Sequence, residues 1–373
     1  MQRRSMMLAT AGLCLAGAAR AEPGVTDKEI VFGQTAILSG PLGVPVKGRM
    51  VGAELAFAQA RRQGGIYGRN IRIQSIDDEL KPERALANYE RLLNDGVIGF
   101  FGCGGSATTA AAADILQRSG APLVGGFAVA DGARDKVTGS AYFLRATGKR
   151  EAEVLVQHLA TVGTTRISIA YLDNPGGVEA LNLLKAAMDA RQLKPVAIAA
   201  VKGDGSNVGE AAKALAATPP QVVIMYLGGP LPGEFIKATS STDSRPMFYG
   251  MSIVAGELTA KIAGDKARGL VIAQVVPYPW SQVDTTAKEF RELAKQAQAP
   301  VDYYSFEGYL TGQMLIEALK RTGRDPTRAR LAATMRALKF RIGGMDIDFS
   351  SGGHTGSNFV ELVQVTREGT FVR

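Results

Sequence analysis

Two spacings of apolar residues alternate along this chain. Residues 29–36 (EIVFGQTA) read as a strand, and residues 70–78 (NIRIQSIDD) alternate with period two before ending on two aspartates. Between them, residues 49–62 place Val51, Leu55, Ala56 and Ala58 at helical spacing. Residues 82–94 form an amphipathic helical pattern with Pro82 in the first turn, where its missing N–H has no helical partner to lose. A short apolar strand at 97–101, an alanine-rich helix at 106–118 and a strand at 122–124 continue the series. Repeated βα units of this kind build a parallel sheet with helices on both faces.

Near residues 142–145 the rhythm restarts. Helices are predicted at 151–162, 178–191, 209–217 and 233–238, interleaved with strands at 166–171, 195–201, 221–226, 246–250 and 269–276. The stretch Pro277 to Pro279 interrupts this order and is a candidate crossover. Three helices follow, at 285–298, 305–322 and 326–337, and the tail carries strand-like segments at 345–349 and 359–365. The pattern predicts an α/β protein of two doubly wound, Rossmann-like lobes of similar size, with no long flexible linker between them.

At 373 residues the chain has room for about two domains. Hydrophobic residues at 46% and charged residues at 21% are ordinary globular composition, which excludes wholesale disorder, collagen and coiled coil. The 44 glycines are spread along the chain and point to many tight turns. The first residues change the picture more. Arg3 and Arg4 precede an apolar run from Met6 to Ala19, and Ala19-Arg20-Ala21 is a small-x-small cleavage pattern. The run is shorter than the about 20 apolar residues a bilayer span needs. A removable secretory signal, residues 1–21, cut after Ala21, is therefore expected, with the mature chain in the periplasm. Removing Arg3, Arg4 and Arg20 from 43 basic residues, against 35 acidic ones, leaves a mild positive excess. Because the basic residues are interspersed with acidic ones, as in EAEVLVQHL and KEFRELAK, they read as solvated helix faces, and no nucleic-acid partner is expected. Cys14 leaves with the signal, so Cys103 stands alone and no internal disulfide is expected; it reads as a buried small hydrophobe.

Catalytic patterns are missing. The chain has no G-x-S-x-G elbow, S-x-x-K pair, H-E-x-x-H, EF-hand loop or Walker loop, and its two histidines and two cysteines are too few for the usual zinc or Cys/His constellations. His158 falls in a helix of alternating charge and reads as a surface residue, while His354 lies in a glycine-rich turn. No enzyme, cofactor or metal site is expected. Asp77, Asp78 and Glu79 end a strand, where the sites of parallel sheets gather, but they equally suit a turn and a cap for the helix from Pro82. Asp346 and Asp348 share one face of a strand, as an outward polar face also would.

Gly102 to Ala107 fits G-x-G-x-x-A between a strand and a helix, but on the third strand of its half rather than the first, which argues against a dinucleotide. The physics beneath the motif still suits an anionic small molecule: glycines let the backbone approach closely, and a helix start presents free N–H groups. Gly105 and Ser106 stand at that start. Alternatively, Ser106 caps only its own helix.

The segment Leu38-Ser39-Gly40-Pro41, then Gly52-Ala53-Glu54-Leu55-Ala56, Gly64-Gly65-Ile66-Tyr67-Gly68-Arg69, and Asp77-Asp78 with Pro82 resemble the start of Leu/Ile/Val-type solute-binding proteins of ATP-driven importers. The resemblance continues in order through Gly102 to Asp114, Ser119-Gly120-Ala121-Pro122, Gly269-Leu270-Val271 with Val276-Pro277, and Ser305-Phe306-Glu307-Gly308-Tyr309. It implies the type I periplasmic binding fold, with crossovers near Arg145, Pro277 and Ile342. An N-terminal lobe of 22–145 plus 278–341 and a C-terminal lobe of 146–277 plus 342–373 would close by a hinge on a ligand in the cleft. It also implies a monomer that delivers a small molecule to an inner-membrane ABC permease. A sensing module of the same fold and an exported α/β enzyme are the alternatives.

Carried over residue by residue, the resemblance makes Ser106 the hydroxyl that holds a ligand carboxylate, with Gly105 beside it. Phe127, Ala128 and Val129 become the backbone segment facing that carboxylate. Ser39, Gly40 and Tyr304 would line the cleft. The second half departs from amino-acid binders. Their acidic partner for the ligand ammonium is Ser252 here, and their two aromatics are replaced by Gly229-Pro230-Leu231 and Asn174-Pro175-Gly176. Burying an ammonium without a counter-charge costs several kcal/mol. The expected ligand is a small carboxylate-bearing molecule, amino-acid-like or an organic or aromatic acid, and these departures favour an aliphatic or aromatic carboxylate without an amine, with Tyr226, Asn174 and Ser252 as neutral polar contacts. Tyr278 and Trp280, near the second crossover, line the cleft or cover the hinge.

Overall fold

The first half of the chain builds a five-stranded sheet: β1 (Glu29–Ala36), β2 (Asn70–Asp77), β3 (Gly99–Phe101), β4 (Leu123–Val124) and β5 (Ala141–Tyr142) in the order β2-β1-β3-β4-β5, every neighbouring pair parallel. The architecture is that of a computed structural model describing residues 22–373; the expected signal and its cleavage fall outside the described residues. Both faces of this sheet are covered, as parallel sheets require. Ile30, Phe32 and Phe101 join one apolar cluster and Val31 and Phe100 another, because successive side chains point to opposite faces.

Helices α1 (Val44–Arg62), α2 (Pro82–Asn94), α3 (Ser106–Ala111), α4 (Ala113–Ser119) and α5 (Asp131–Asp135) connect these strands. The single helix expected at 106–118 is two. Thr108 turns its hydroxyl back onto the Gly104 carbonyl at 2.7 Å, and the Ala112 N–H bonds Thr109 O at 3.2 Å, tightening the turn where the helix breaks.

The second half repeats the plan with α6 (Gly148–Thr161), β6 (Ile167–Leu172), α7 (Pro175–Asp189), β7 (Ala197–Val201), α8 (Val208–Ala216), β8 (Val222–Tyr226), α9 (Leu231–Thr239), β9 (Met247–Gly250), α10 (Gly256–Ala263) and β10 (Val271–Gln274). The patterning passed over the short α5 and α10. Strands β6 to β10 pair in parallel.

Past β10 the chain returns to the first sheet with α11 (Thr285–Gln296), α12 (Tyr303–Thr322) and α13 (Arg328–Arg336). Helix α12 crosses α1 at backbone contact: a Cβ on Gly52 would sit 1.7 Å from Ser305 O, and one on Gly308 1.8 Å from Arg49 O. Only glycine allows that approach. A hairpin of β11 (Lys339–Ile342) and β12 (Met345–Asp348) follows, and Thr355 bridges to Phe143 beside the first sheet. The chain then enters the second sheet a last time, as β13 (Glu361–Val365), antiparallel to β10, and β14 (Phe371–Val372). That sheet has seven strands in the order β14-β13-β10-β9-β8-β6-β7. Two doubly wound lobes thus exchange the chain three times.

Candidate functional site

The turn after β3 needs its glycines. Gly105 has φ +96°, and a Cβ there would meet Thr108 Oγ1 at 2.6 Å and Leu80 Cδ2 at 2.8 Å. Gly105 itself is the N-cap of α3, and Ser106 does not cap its own helix. The Ser106 hydroxyl instead accepts the backbone N–H groups of Ala130 at 3.1 Å and Val129 at 3.3 Å. Its own O–H is left to donate. The 127–130 segment is held further by the Phe127 N–H on Cys103 O at 2.8 Å and by Arg134 Nε on Ala128 O at 2.8 Å. This wall of the cleft is shaped mainly by backbone and a hydroxyl.

Asp77 and Asp78 serve this lobe's loops rather than the helix after them, whose N-cap is Lys81 with no side-chain cap. Asp77 Oδ1 accepts Leu38 N at 3.1 Å and Glu79 N at 2.9 Å, anchoring the exposed Ser39–Gly40 turn. Asp78 accepts Thr35 Oγ1 at 3.0 Å and Leu80 N at 2.8 Å; burial lifts its pKa despite these bonds. Cys103 is buried, and burial pushes its thiol up to about 12, so it behaves as an inert small hydrophobe.

The opposite wall is charged. Ser252 follows β9, and both its N–H and its hydroxyl donate to Glu151, at 2.7 and 2.9 Å. Arg145, at the first passage between the sheets, donates from Nη2 to the same Ser252 hydroxyl and lies 3.7 Å from Glu151. Its Nη1 lies 3.7 Å from Glu307 Oε1 on α12, and the other oxygen of Glu307 takes Arg49 Nε at 2.7 Å. Arg49 in turn sits between the rings of Phe127, at 5.0 Å, and Tyr304, at 4.8 Å. Arg134 completes the cluster under Arg145, donating to Ala146 O at 3.0 Å; burial depresses its pKa to about 10.

Burial pulls Arg145 down, but the carboxylates of Glu307 and Glu151 outweigh it and hold the guanidinium above its ordinary value. Burial pushes Glu307 up, but Arg49 and Arg145 outweigh it and hold the acid below the usual carboxylate range. Glu151 moves the other way: burial raises it, and Arg145 and Ser252 only partly offset that.

Between the walls runs a crevice with about 10 Å³ of cavity, roughly one water's worth. Of the residues singled out from sequence, Val129, Tyr226 and Ser252 line it, joined by Glu151, Met251 and Ile253. Ser106 is one hydrogen bond behind. Tyr304 and Phe127 stand behind Arg49. Asn174 caps α7 through Gly177 N at 2.8 Å, and Leu231 is buried at the start of α9 against Gly205. Ser39 and Gly40 are exposed on the first lobe and do not reach the crevice. Half-buried Glu179 stands at its rim, bonded to Gly132 N across the cleft at 3.1 Å. A larger groove of about 730 Å³ lies outside the cleft, between α6 and α7, but it opens to solvent and its Lys149, Arg150 and Gln157 are exposed.

Sequence reasoning passed over Arg49, Arg145, Glu151 and Glu307. A signal existed for one of them. Glu151, Leu155 and Leu159 share the face that α6 buries, so the acid in the EAEV run lies on the apolar stripe. Tyr278 and Trp280 do not line the crevice but pack at the second crossover: Trp280 stacks on Phe371 at 5.6 Å and meets Tyr303 edge-on at 5.7 Å. His158, half-buried against the Tyr249 hydroxyl at 3.2 Å, and His354, edge-on to Phe143, both lie away from the crevice. Among the described residues, no group of three or more His, Cys, Asp and Glu could hold a metal, and no helix is long and apolar enough to cross a membrane.

The sequence profile of a family described as periplasmic binding protein matches residues 29–370. The Leu/Ile/Val-binding protein of Escherichia coli (strain K12) is 26% identical over 310 residues, covering 80% of this chain and 81% of that one. A substrate-binding periplasmic protein from Ralstonia solanacearum has the same architecture with a TM-score of 0.85 at 26% identity, over 92% of this chain and 99% of that one. An ABC transporter solute-binding protein from R. palustris, solved in complex with benzoate, shares the fold with a TM-score of 0.81 at 19% identity, over 92% of this chain and 95% of that one.

Proposed function

The chain belongs to the periplasmic binding protein family, and from that premise we propose that it captures a small organic acid without an amine and hands it to a membrane permease. The family consists of binding proteins rather than enzymes. In this proposal the mature protein is a periplasmic monomer and the acid is carried unchanged. The lobes are expected as residues 22–145 with 278–341 and 146–277 with 342–373, but the last boundary falls later than residue 342: Thr355 bridges Phe143 and the Gly356 N–H bonds Phe143 O beside the first sheet, and the chain joins the second sheet only at β13.

One observation carries the choice of ligand. At the position where the amino-acid binders it resembles have a free acid, this chain has Ser252, and the carboxylate that reaches that place, Glu151, is already bonded to Ser252 N and Oγ. An ammonium would be buried beside Arg145 with no carboxylate left to take it, a cost of several kcal/mol. A carboxylate meets the opposite field. The R. palustris neighbour's benzoate is such an acid. Val129, Tyr226 and Ser252 are the proposed contacts from the crevice, with the Ser106 hydroxyl and Tyr304 behind them.

Isothermal titration of the purified protein with benzoate, octanoate, leucine and phenylalanine tests this. The acids without an amine are expected to bind tighter than either amino acid; leucine binding tighter than both acids overturns the proposal.

A further inference from the structure

We propose that Arg145 receives the acid end of the ligand, which therefore lies with its anionic head toward the first interlobe passage, and that the preferred ligand is a monocarboxylate. The inference rests on the organic-acid reading above and adds to it a place, an orientation and a charge.

Arg145 is 2% exposed, yet its Nε and Nη1 have no hydrogen-bond partner. A buried guanidinium with unused donors is costly unless something takes them. The nearby acids do not. Glu307 gives its short contact to Arg49, at 2.7 Å, and stands 3.7 Å from Arg145; Glu151 gives its short contacts to Ser252 and also stands 3.7 Å away. Nε and Nη1 lie on different edges of the planar guanidinium; with one Nη2 hydrogen on Ser252, the other Nη2 hydrogen pairs with one of these open donors to make a two-bond fork, so a ligand carboxylate fits what the protein leaves open.

The charges agree. Among the buried members, Arg49, Arg134 and Arg145 face Glu151 and Glu307, three cations against two acids; half-buried Asp131, which also acts on Arg134, is already bonded to Gly148 N at 2.8 Å and Lys149 N at 2.9 Å. One carboxylate balances the cluster, whereas a dianion would overshoot it. Access follows from position: Ser252 and Glu151, the groups Arg145 touches, line the crevice, where Val129, Met251 and Ile253 offer apolar surface for the rest of the ligand. Half-buried Glu179 at the rim is the remaining acid facing this path, and it is bonded to Gly132 N.

The test uses titration of wild-type, Arg145→Lys and Arg145→Met proteins with benzoate, its neutral analogue benzamide, and the dianion terephthalate. In the wild type, benzoate is expected to bind at least about 100-fold tighter than benzamide, because the amide leaves the buried charge unanswered. Terephthalate should bind more weakly than benzoate. Arg145→Lys should weaken benzoate roughly tenfold or more by losing the fork while leaving benzamide little changed. Arg145→Met should abolish the preference for acid over amide. A folded Arg145→Met or Arg145→Lys protein with wild-type preference overturns the proposal. Should the Arg145 variants fail to fold, a crystal structure of the wild type with benzoate decides: a carboxylate on Arg145 supports the assignment, and one on Ser106 alone overturns it. If neither benzoate nor octanoate binds the wild type, the organic-acid reading itself fails. If they bind regardless of Arg145, only the placement fails.

Discussion

The two walls of the cleft solve the same problem with different materials. On the first lobe the 127–130 segment is positioned mostly by neutral bonds: Ser106 Oγ on two N–H groups, and the Phe127 N–H on Cys103 O. On the second lobe, Ser252 is positioned by a buried carboxylate, and that carboxylate by an arginine at the passage between the lobes. Neutral bonds net about 1 kcal/mol each and fail one at a time. A buried ionic cluster fails as a unit, because removing one member strands the others without solvent. The cluster behind the second wall also reaches across to α1 and α12 of the first lobe through Arg49 and Glu307, and its net charge is what the proposed ligand acid would answer.

Breaking the ionic side should have the largest effect. Glu307→Ala leaves both Arg49 and Arg145 without their shared acid, and about 3–5 kcal/mol of stability should be lost in chemical denaturation. Gly105→Ala strikes the neutral wall at its turn, where φ of +96° and contacts below 3 Å oppose a side chain. A loss of about 2–3 kcal/mol is expected, read the same way. Ser106→Ala removes only the hydroxyl under Val129 and Ala130 and should cost about 1 kcal/mol, with faster amide exchange confined to residues 127–130. A larger loss from Ser106→Ala than from Glu307→Ala would invert the comparison.

The pH dependence sharpens it with the smallest effects. Arg49 and Arg145 hold Glu307 below its ordinary value against burial, so its contribution is present at neutral pH and is lost as pH falls below about 4.5 through the lowered value. Glu361, on β13 near the aromatic residues of the second crossover, is pushed up to about 7 by burial, which Arg373 only partly offsets. Its protonated form is favoured in the folded state, so its contribution is complete below the ordinary glutamate range and is lost as pH rises toward 7. Melting temperatures of Glu361→Gln should therefore fall less than those of the wild type between pH 4.5 and 7. An identical slope would remove Glu361 from the account.

The architecture was legible because it is written in local periodicity. A strand covered on both faces must be apolar throughout, and a helix on a sheet must carry a stripe; both can be counted over a few residues, as in β1 and α2. The misread elements were the short ones, α5 and α10, and the helix broken at Ala112, where the backbone N–H turns to Thr109 O. Asp77 and Asp78 were placed at the correct turn, but for a cap that Lys81 occupies instead.

The amino-acid order alone determined the βα rhythm, the restart in mid-chain, the glycines that let α1 and α12 touch and the serine at position 252. Only the tertiary structure decided what answers that serine. Arg49 and Glu307 are 258 residues apart, and Ser252 and Glu151 are 101 apart. A charged residue on an apolar stripe announces that it will be buried, but its partner is chosen by which helices the sheets bring face to face. Coulomb energy depends on distance in space and on the loss of water, and neither is a property of a position in sequence.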